Sequence, residues 1–278
     1  MPDRYGLVAR AAEDLPDLLM TPATLVCSDT PEDTLRATKA MVQANARVLI
    51  THGGDGTNRL VAVGAGDVPL LPIAAGTNNV FPTPVEATAA GFAAGVLSRH
   101  PAEEAVVEGC LSRHKRICVT VGDTRDIALV DAAVTTDAAV ASRAVWDPKR
   151  LTAFMVTRAG AGCVGLAGLA GAFVGIDPTE PRGAFVTMGQ GTTVIAIMAP
   201  GLVVTADVRS VRDVWVGSCI QLGPLTGVIT LDGERTLSAH EQIVQFALDA
   251  GGPWVVETAA ALRWAQRLGA FHAPSGEP

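Results

Sequence analysis

The run Gly53-Gly54-Asp55-Gly56-Thr57 joins residue types suited to holding an anion beside an acid. Adjacent glycines let a phosphate chain approach the backbone closely. If the run opens a helix, its first N–H groups point at that anion. Asp55 is then placed to hold Mg²⁺ through water or to accept a hydroxyl proton. The plainer reading is a tight turn with an aspartate cap. Gly76-Thr77-Asn78-Asn79 offers two carboxamides, each donor and acceptor, suited to ribose hydroxyls or a base edge. An Asx turn is its structural alternative. Leu231-Asp232-Gly233-Glu234 reads as a hairpin, whose carboxylates could also reach across a cleft as bases. Arg59, one turn beyond the glycines, faces either phosphates, whose charge it would neutralise, or solvent.

The surrounding pattern supplies elements to carry these residues. Arg47 to Thr51 is a short β-branched run ending at His52-Gly53-Gly54, the profile of a buried parallel strand. Residues 32–45 have helical spacing, and a helix is expected from about Thr57 to Gly64. A second strand over 69–73 leads to Gly76, and residues 85–98 form another helix. Strand, glycine loop and helix in alternation predict an α/β domain with a parallel sheet over residues 1–105. Ligands of such sheets bind at the carboxyl ends of the strands, where both glycine runs fall. From 106 to 257 the chain reads as a β-rich, sandwich-like domain: strands are expected at 116–121, 126–135, 184–188, 192–199, 202–208, 212–216, 226–232, 242–248 and 253–257. The glycine-rich stretch 159–176 reads as buried turns and strands. Residues 258–270 form a helix that packs onto one of the domains.

Composition narrows the classes. Acidic residues outnumber basic ones by 28 to 21, and no basic run tracks a phosphate backbone, which argues against nucleic acid as a partner. Hydrophobic residues make up 49% of the 278 and charged residues 18%, which excludes a disordered tail protein. Five cysteines without a CxxC pair support neither a disulfide framework nor a zinc site, and reduced thiols in a cytoplasm are expected. No apolar stretch reads as a membrane span.

Together, GGDGT and the GTNN-type loop resemble the superfamily of NAD kinases and diacylglycerol kinases. The fuller set, Asp55 to Arg59, Pro72 to Pro82, Asp126 to Ala133, Arg143 to Pro148 and Leu231 to Arg235, resembles the ATP–NAD kinase-like AcoX (acetoin catabolism protein X) family. The resemblance implies an α/β domain and a β-rich domain closing on one cleft, with the C-terminal segment 258–278 packing back on the first domain. It also implies phosphoryl transfer from ATP, or polyphosphate, to a hydroxyl, with Mg²⁺. Carried over, the NAD-kinase base is Asp55, and the lipid-kinase carboxylates are Asp232 and Glu234. The resemblance also implies a homo-oligomer, dimer or tetramer. This chain departs from NAD kinases at Asn79, where an acid is usual, and Gly191-Thr192-Thr193 only faintly echoes their TGST-type motif. The expected function is an ATP-dependent, NAD kinase-like enzyme. Its nucleotide would be held by Gly53, Gly54, Gly56, Thr57, Arg59, Gly76, Thr77, Asn78 and Asn79, with NAD as acceptor or ligand. The alternatives are a lipid or small-metabolite kinase, and a non-catalytic nucleotide sensor linked to acetoin catabolism.

Overall fold

The computed structural model describes residues 6–15, 20–21, 25–76, 78–135 and 147–272. Thr77, and the Arg143 to Trp146 part of one motif, lie outside them. After helix α1 (Leu7–Asp14), which the sequence reading had not marked, comes α2 (Glu32–Gln43). Strand β1 (Leu49–Gly53) then leads through Gly54 into α3 (Asp55–Ala65), two residues earlier than the spacing suggested. β2 (Leu70–Ala74), α4 (Ala87–Arg99), α5 (Ala102–Val107) and β3 (Leu111–Arg113) complete this region. α4 is capped by Glu86, whose carboxylate accepts from the N–H groups of Thr88 and Ala89.

The chain returns here at its end. β12 (Trp254–Val256) pairs parallel to β2 and antiparallel to β3, giving a four-stranded sheet ordered β1-β2-β12-β3. This corrects the sequence boundary at one point: 111–113 and 254–256 were expected within the β-rich half but belong to the first sheet. α7 (Thr258–Arg267) packs Ala261, Trp264 and Ala265 against Ala90, Ala93 and Leu97 of α4. Burying such small aliphatic faces contributes about 25 cal/mol per Å² of apolar surface.

The β-rich half is one antiparallel sheet ordered β5-β4-β11-β10-β6-β7-β8-β9. Its strands are β4 (Arg116–Val121), β5 (Thr124–Ala128), β6 (Asp131–Thr135), β7 (Leu151–Val156), β8 (Arg182–Ala199), β9 (Leu202–Trp215), β10 (Cys219–Leu231) and β11 (Arg235–Asp249). The sheet curls so that one face packs on itself around Ile117, Met155, Phe185, Ile229 and Phe246. Helix α6 (Gly165–Gly171) covers part of the other face through Leu166, Leu169 and Ala170. Four of the expected strands merge into two, because β8 and β9 run on through Gly189 and Arg209 as one long hairpin. The stretch read as turns and strands at 159–176 holds α6. Gly191-Thr192-Thr193 lies inside β8, away from the glycine turn. Among the described residues no helix is long and apolar enough to cross a membrane.

Candidate functional site

α3 begins at the carboxyl end of a parallel strand, and nothing caps it: the N–H groups of Gly54, Asp55, Gly56 and Thr57 have no acceptor among the described residues. The first N–H with a partner is that of Asn58, donating to the Gly54 carbonyl at 3.1 Å. Asn58 is buried and anchors the turn from below, its Nδ2 donating to Gly54 O at 2.8 Å. The turn therefore presents an open row of N–H groups, the geometry that suits an anion.

Its surroundings are acidic. The Asp55 carboxylate reaches the second loop, accepting from Val80 N at 3.1 Å and Phe81 N at 2.8 Å. Asp232 sits on the tight turn between β10 and β11, where Asp232 and Gly233 both have positive φ (48° and 68°). Its side chain plunges inward, 7% exposed, and takes Leu129 N at 2.9 Å, Val130 N at 2.8 Å and Asp131 N at 3.2 Å. Thr157 fixes that receiving turn by donating to Leu129 O at 2.6 Å. The hairpin reading and the carboxylate reading of this motif thus describe one object. Asp131 completes the group. Asp55, Asp131 and Asp232 line a single cavity of about 70 Å³ with Asn78, Val80, Gly165, Leu166 and Met198.

Burial shapes these acids. It pushes the Asp55 carboxyl up, against the pull of the Phe81 and Val80 N–H groups and of Arg158. It raises Asp131 well above the ordinary range, helped by the charges of Asp232 and Asp55. It carries Asp232 to about 7 despite three N–H donors, with Asp55 adding to the rise. Asp131 receives no hydrogen-bond donor from the described residues, so its carboxylate is left for whatever enters.

Glu234 lies directly over the cradle. A Cβ built on Gly56 would stand 1.9 Å from Glu234 Oε2, so only glycine leaves room for this carboxylate there. A Cβ on Gly54 would come within 3.0 Å of Asn79 Oδ1. Asn79 itself donates Nδ2 to Gly76 O at 2.9 Å, three residues earlier, which is not an Asx turn, while Asn78 lines the cavity. Burial and the Asp55 charge raise the Glu234 carboxyl, opposed by Arg59.

Arg59 faces neither phosphate nor solvent. It is buried against Asp126 of β5, Nη1 to Oδ1 at 2.8 Å, and Arg235 meets the other oxygen of Asp126 at 3.3 Å. Its side chain joins the two halves. His52 is exposed. Sequence reasoning missed Asp131, Asp126 and Arg158 as site residues. The signal for Asp131 was present: it is a lone charge inside the apolar strand run Ile127 to Val134. Arg158 had none, since its neighbours Ala159 and Gly160 suggest only a turn.

A parallel-sheet half with an open glycine turn, closed over by an antiparallel half bearing carboxylates, defines an NAD kinase-like architecture. Residues 6–100 match the ATP-NAD kinase N-terminal domain, and residues 115–250 match the acetoin catabolism protein X C-terminal domain. The chain is 33% identical over 261 residues to the acetoin catabolism protein X of Cupriavidus necator, covering 86% of this chain and 70% of that protein. It belongs to the acetoin catabolism protein X family. Among solved structures, it is similar to an Archaeoglobus fulgidus NAD kinase in complex with ATP (13% identity, TM-score 0.45, 95% of each chain covered). It is also similar to yeast NADH kinase complexed with NADH (13% identity, TM-score 0.40, 84% of this chain and 68% of that one).

Proposed function

We propose that the chain is a phosphotransferase that moves a phosphoryl group from ATP to a hydroxyl of NAD or a related metabolite. The observation that carries this reading is the open N–H row of Gly54 to Thr57 beside a carboxylate cavity that holds Asp131 unpartnered. The N–H groups would bind the donor's phosphates, and Asn78 would orient the acceptor. Asp131 would take the hydroxyl proton at its free carboxylate oxygen. Asp55 and Asp232 would act by holding the two loops that line the cavity, since their oxygens are already engaged by main-chain N–H groups.

The donor set suits Mg²⁺ arriving with the nucleotide. No group of three His, Cys, Asp or Glu able to hold a metal exists among the described residues. Glu234 nevertheless overhangs the place where phosphates would dock, and only a cation between them makes those charges compatible. Mg²⁺ commonly uses one or two carboxylates plus phosphate oxygens. When bound it would neutralise charge on the transferring group; Glu234, over the glycine turn, is the residue that would help hold it.

Incubation with ATP, Mg²⁺ and NAD should yield NADP, and Asp131→Asn should lose at least a hundredfold in kcat. Absence of turnover together with absence of nucleotide-dependent thermal stabilisation would overturn the reading. The position of Glu234 on Gly56 favours a second assignment, in which Glu234 is the base, as in a lipid or small-metabolite kinase. Glu234→Gln would then abolish transfer while Asp131→Asn retained it.

A further inference from the structure

A second cleft, of about 300 Å³, opens at the same edge of the parallel sheet, over the turn from β12 into α7. Its walls include Pro72, Phe81, Val255 and Val256, and Arg158 lines it. Arg158 is only 6% exposed, and its Nε has no partner. Its one hydrogen bond among the described residues runs from Nη2 to His114 Nδ1 at 3.1 Å; no described carboxylate comes within ion-pair distance, and Asp55, Asp232 and Asp177 act on it only through longer-range charge. His114 offers the guanidinium a hydrogen-bond acceptor but no negative charge. A buried guanidinium without a direct ion pair and with an unpartnered Nε is costly, and an incoming anion would relieve that cost.

The helix start beside it is also open. Glu257 occupies the N-cap position of α7 but makes no cap; it accepts from Ser112 Oγ instead and lies 4.0 Å from His114 Nε2. The N–H groups of Thr258, Ala259 and Ala260 have no acceptor among the described residues. Asp177 and Glu257 line the cleft too, so it suits one negative charge better than two. Asp177 is already engaged by Thr179 N–H at 3.0 Å and Thr179 O–H at 2.8 Å.

We propose that this cleft binds the carboxylate of a small ligand between Arg158 and the first turn of α7, with a short apolar body against Pro72, Phe81 and Val255. The site is separate from the phosphate cradle. It reaches the cradle through Phe81, whose ring lies 4.9 Å under the Arg158 guanidinium and whose N–H holds Asp55.

Calorimetry of the full chain with benzoate, butyrate and inorganic phosphate tests this. Benzoate and butyrate should bind saturably, and binding should weaken at least tenfold in Arg158→Gln and in Ala259→Asp. The second variant places a built-in carboxylate at an exposed first-turn position and guards against misfolding of the first. Both should keep a single cooperative thermal transition. ATP-dependent transfer should persist in Ala259→Asp, so loss of this site and loss of the kinase reading are told apart. Carboxylate binding absent from the native chain, or undiminished in both variants, overturns the proposal. Binding of phosphate alone overturns it as well.

Discussion

Two helices, α3 and α7, start from strands of one sheet, and both leave their first N–H groups open. Their settings are opposite. The start of α3 carries Asp55 and faces Asp131, Asp232 and Glu234 with no cation among them, whereas the start of α7 faces Arg158 beside Asp177 and Glu257. The same backbone device therefore has two electrostatic meanings. On the proposed reading an anion at α3 would come with a cation, whereas at α7 the protein itself supplies a guanidinium.

The largest test of this contrast breaks the contact that holds the acidic side together. Asp126→Ala strands the buried Arg59 and should cost about 3–5 kcal/mol, read as a fall in the urea midpoint. Next, Asp232→Ala leaves three buried N–H groups without an acceptor. A loss of roughly 3 kcal/mol or more is expected, with a matching fall in Tm. Gly56→Ala should destabilise the native chain by displacing Glu234, yet become neutral, or stabilising by about 0.5–1 kcal/mol, once Glu234→Ala is added. That double-mutant cycle measures how tightly the β10–β11 turn presses on the cradle.

Protonation sharpens the contrast further. Asp55, Asp131, Asp232 and Glu234 keep their protons to higher pH when folded, Asp232 to about 7. Between the ordinary carboxylate range and pH 7 the native state binds more protons than the unfolded chain. These groups therefore make stability fall as pH rises through that window. His114, depressed by burial, acts the other way near its ordinary value. Comparing the native chain with Asp131→Asn cancels it: the variant's advantage in Tm should be larger at pH 8 than at pH 5.5. The smallest effect is a pair of matched substitutions. Ala259→Asp at α7 should stabilise by about 0.3–1 kcal/mol, while Thr57→Asp at α3 should destabilise by a similar amount. Equal signs would erase the distinction.

Much of the α3 side was legible in the sequence. Asp55, Gly56 and Asp232 stand out because turn geometry and close approach demand those residue types, and local spacing reveals both. The strand-helix alternation likewise exposed β1, α3 and β2. What was hidden depends on long-range pairing. Nothing near residue 254 announces that β12 crosses back to β2, so α7 and its turn could not be placed beside Phe81 and Arg158. Arg59 misled for the same reason: its partner Asp126 is 67 positions away. The role of Asn79 was also set by tertiary structure, since its carboxamide presses on Gly54.

The bridge of Asp126 to both Arg59 and Arg235 has a mechanical consequence. Prising the halves apart would drag a guanidinium out of its shelter, so this bridge resists their separation. Glu234, standing over Gly56, then narrows access to the glycine turn from that side.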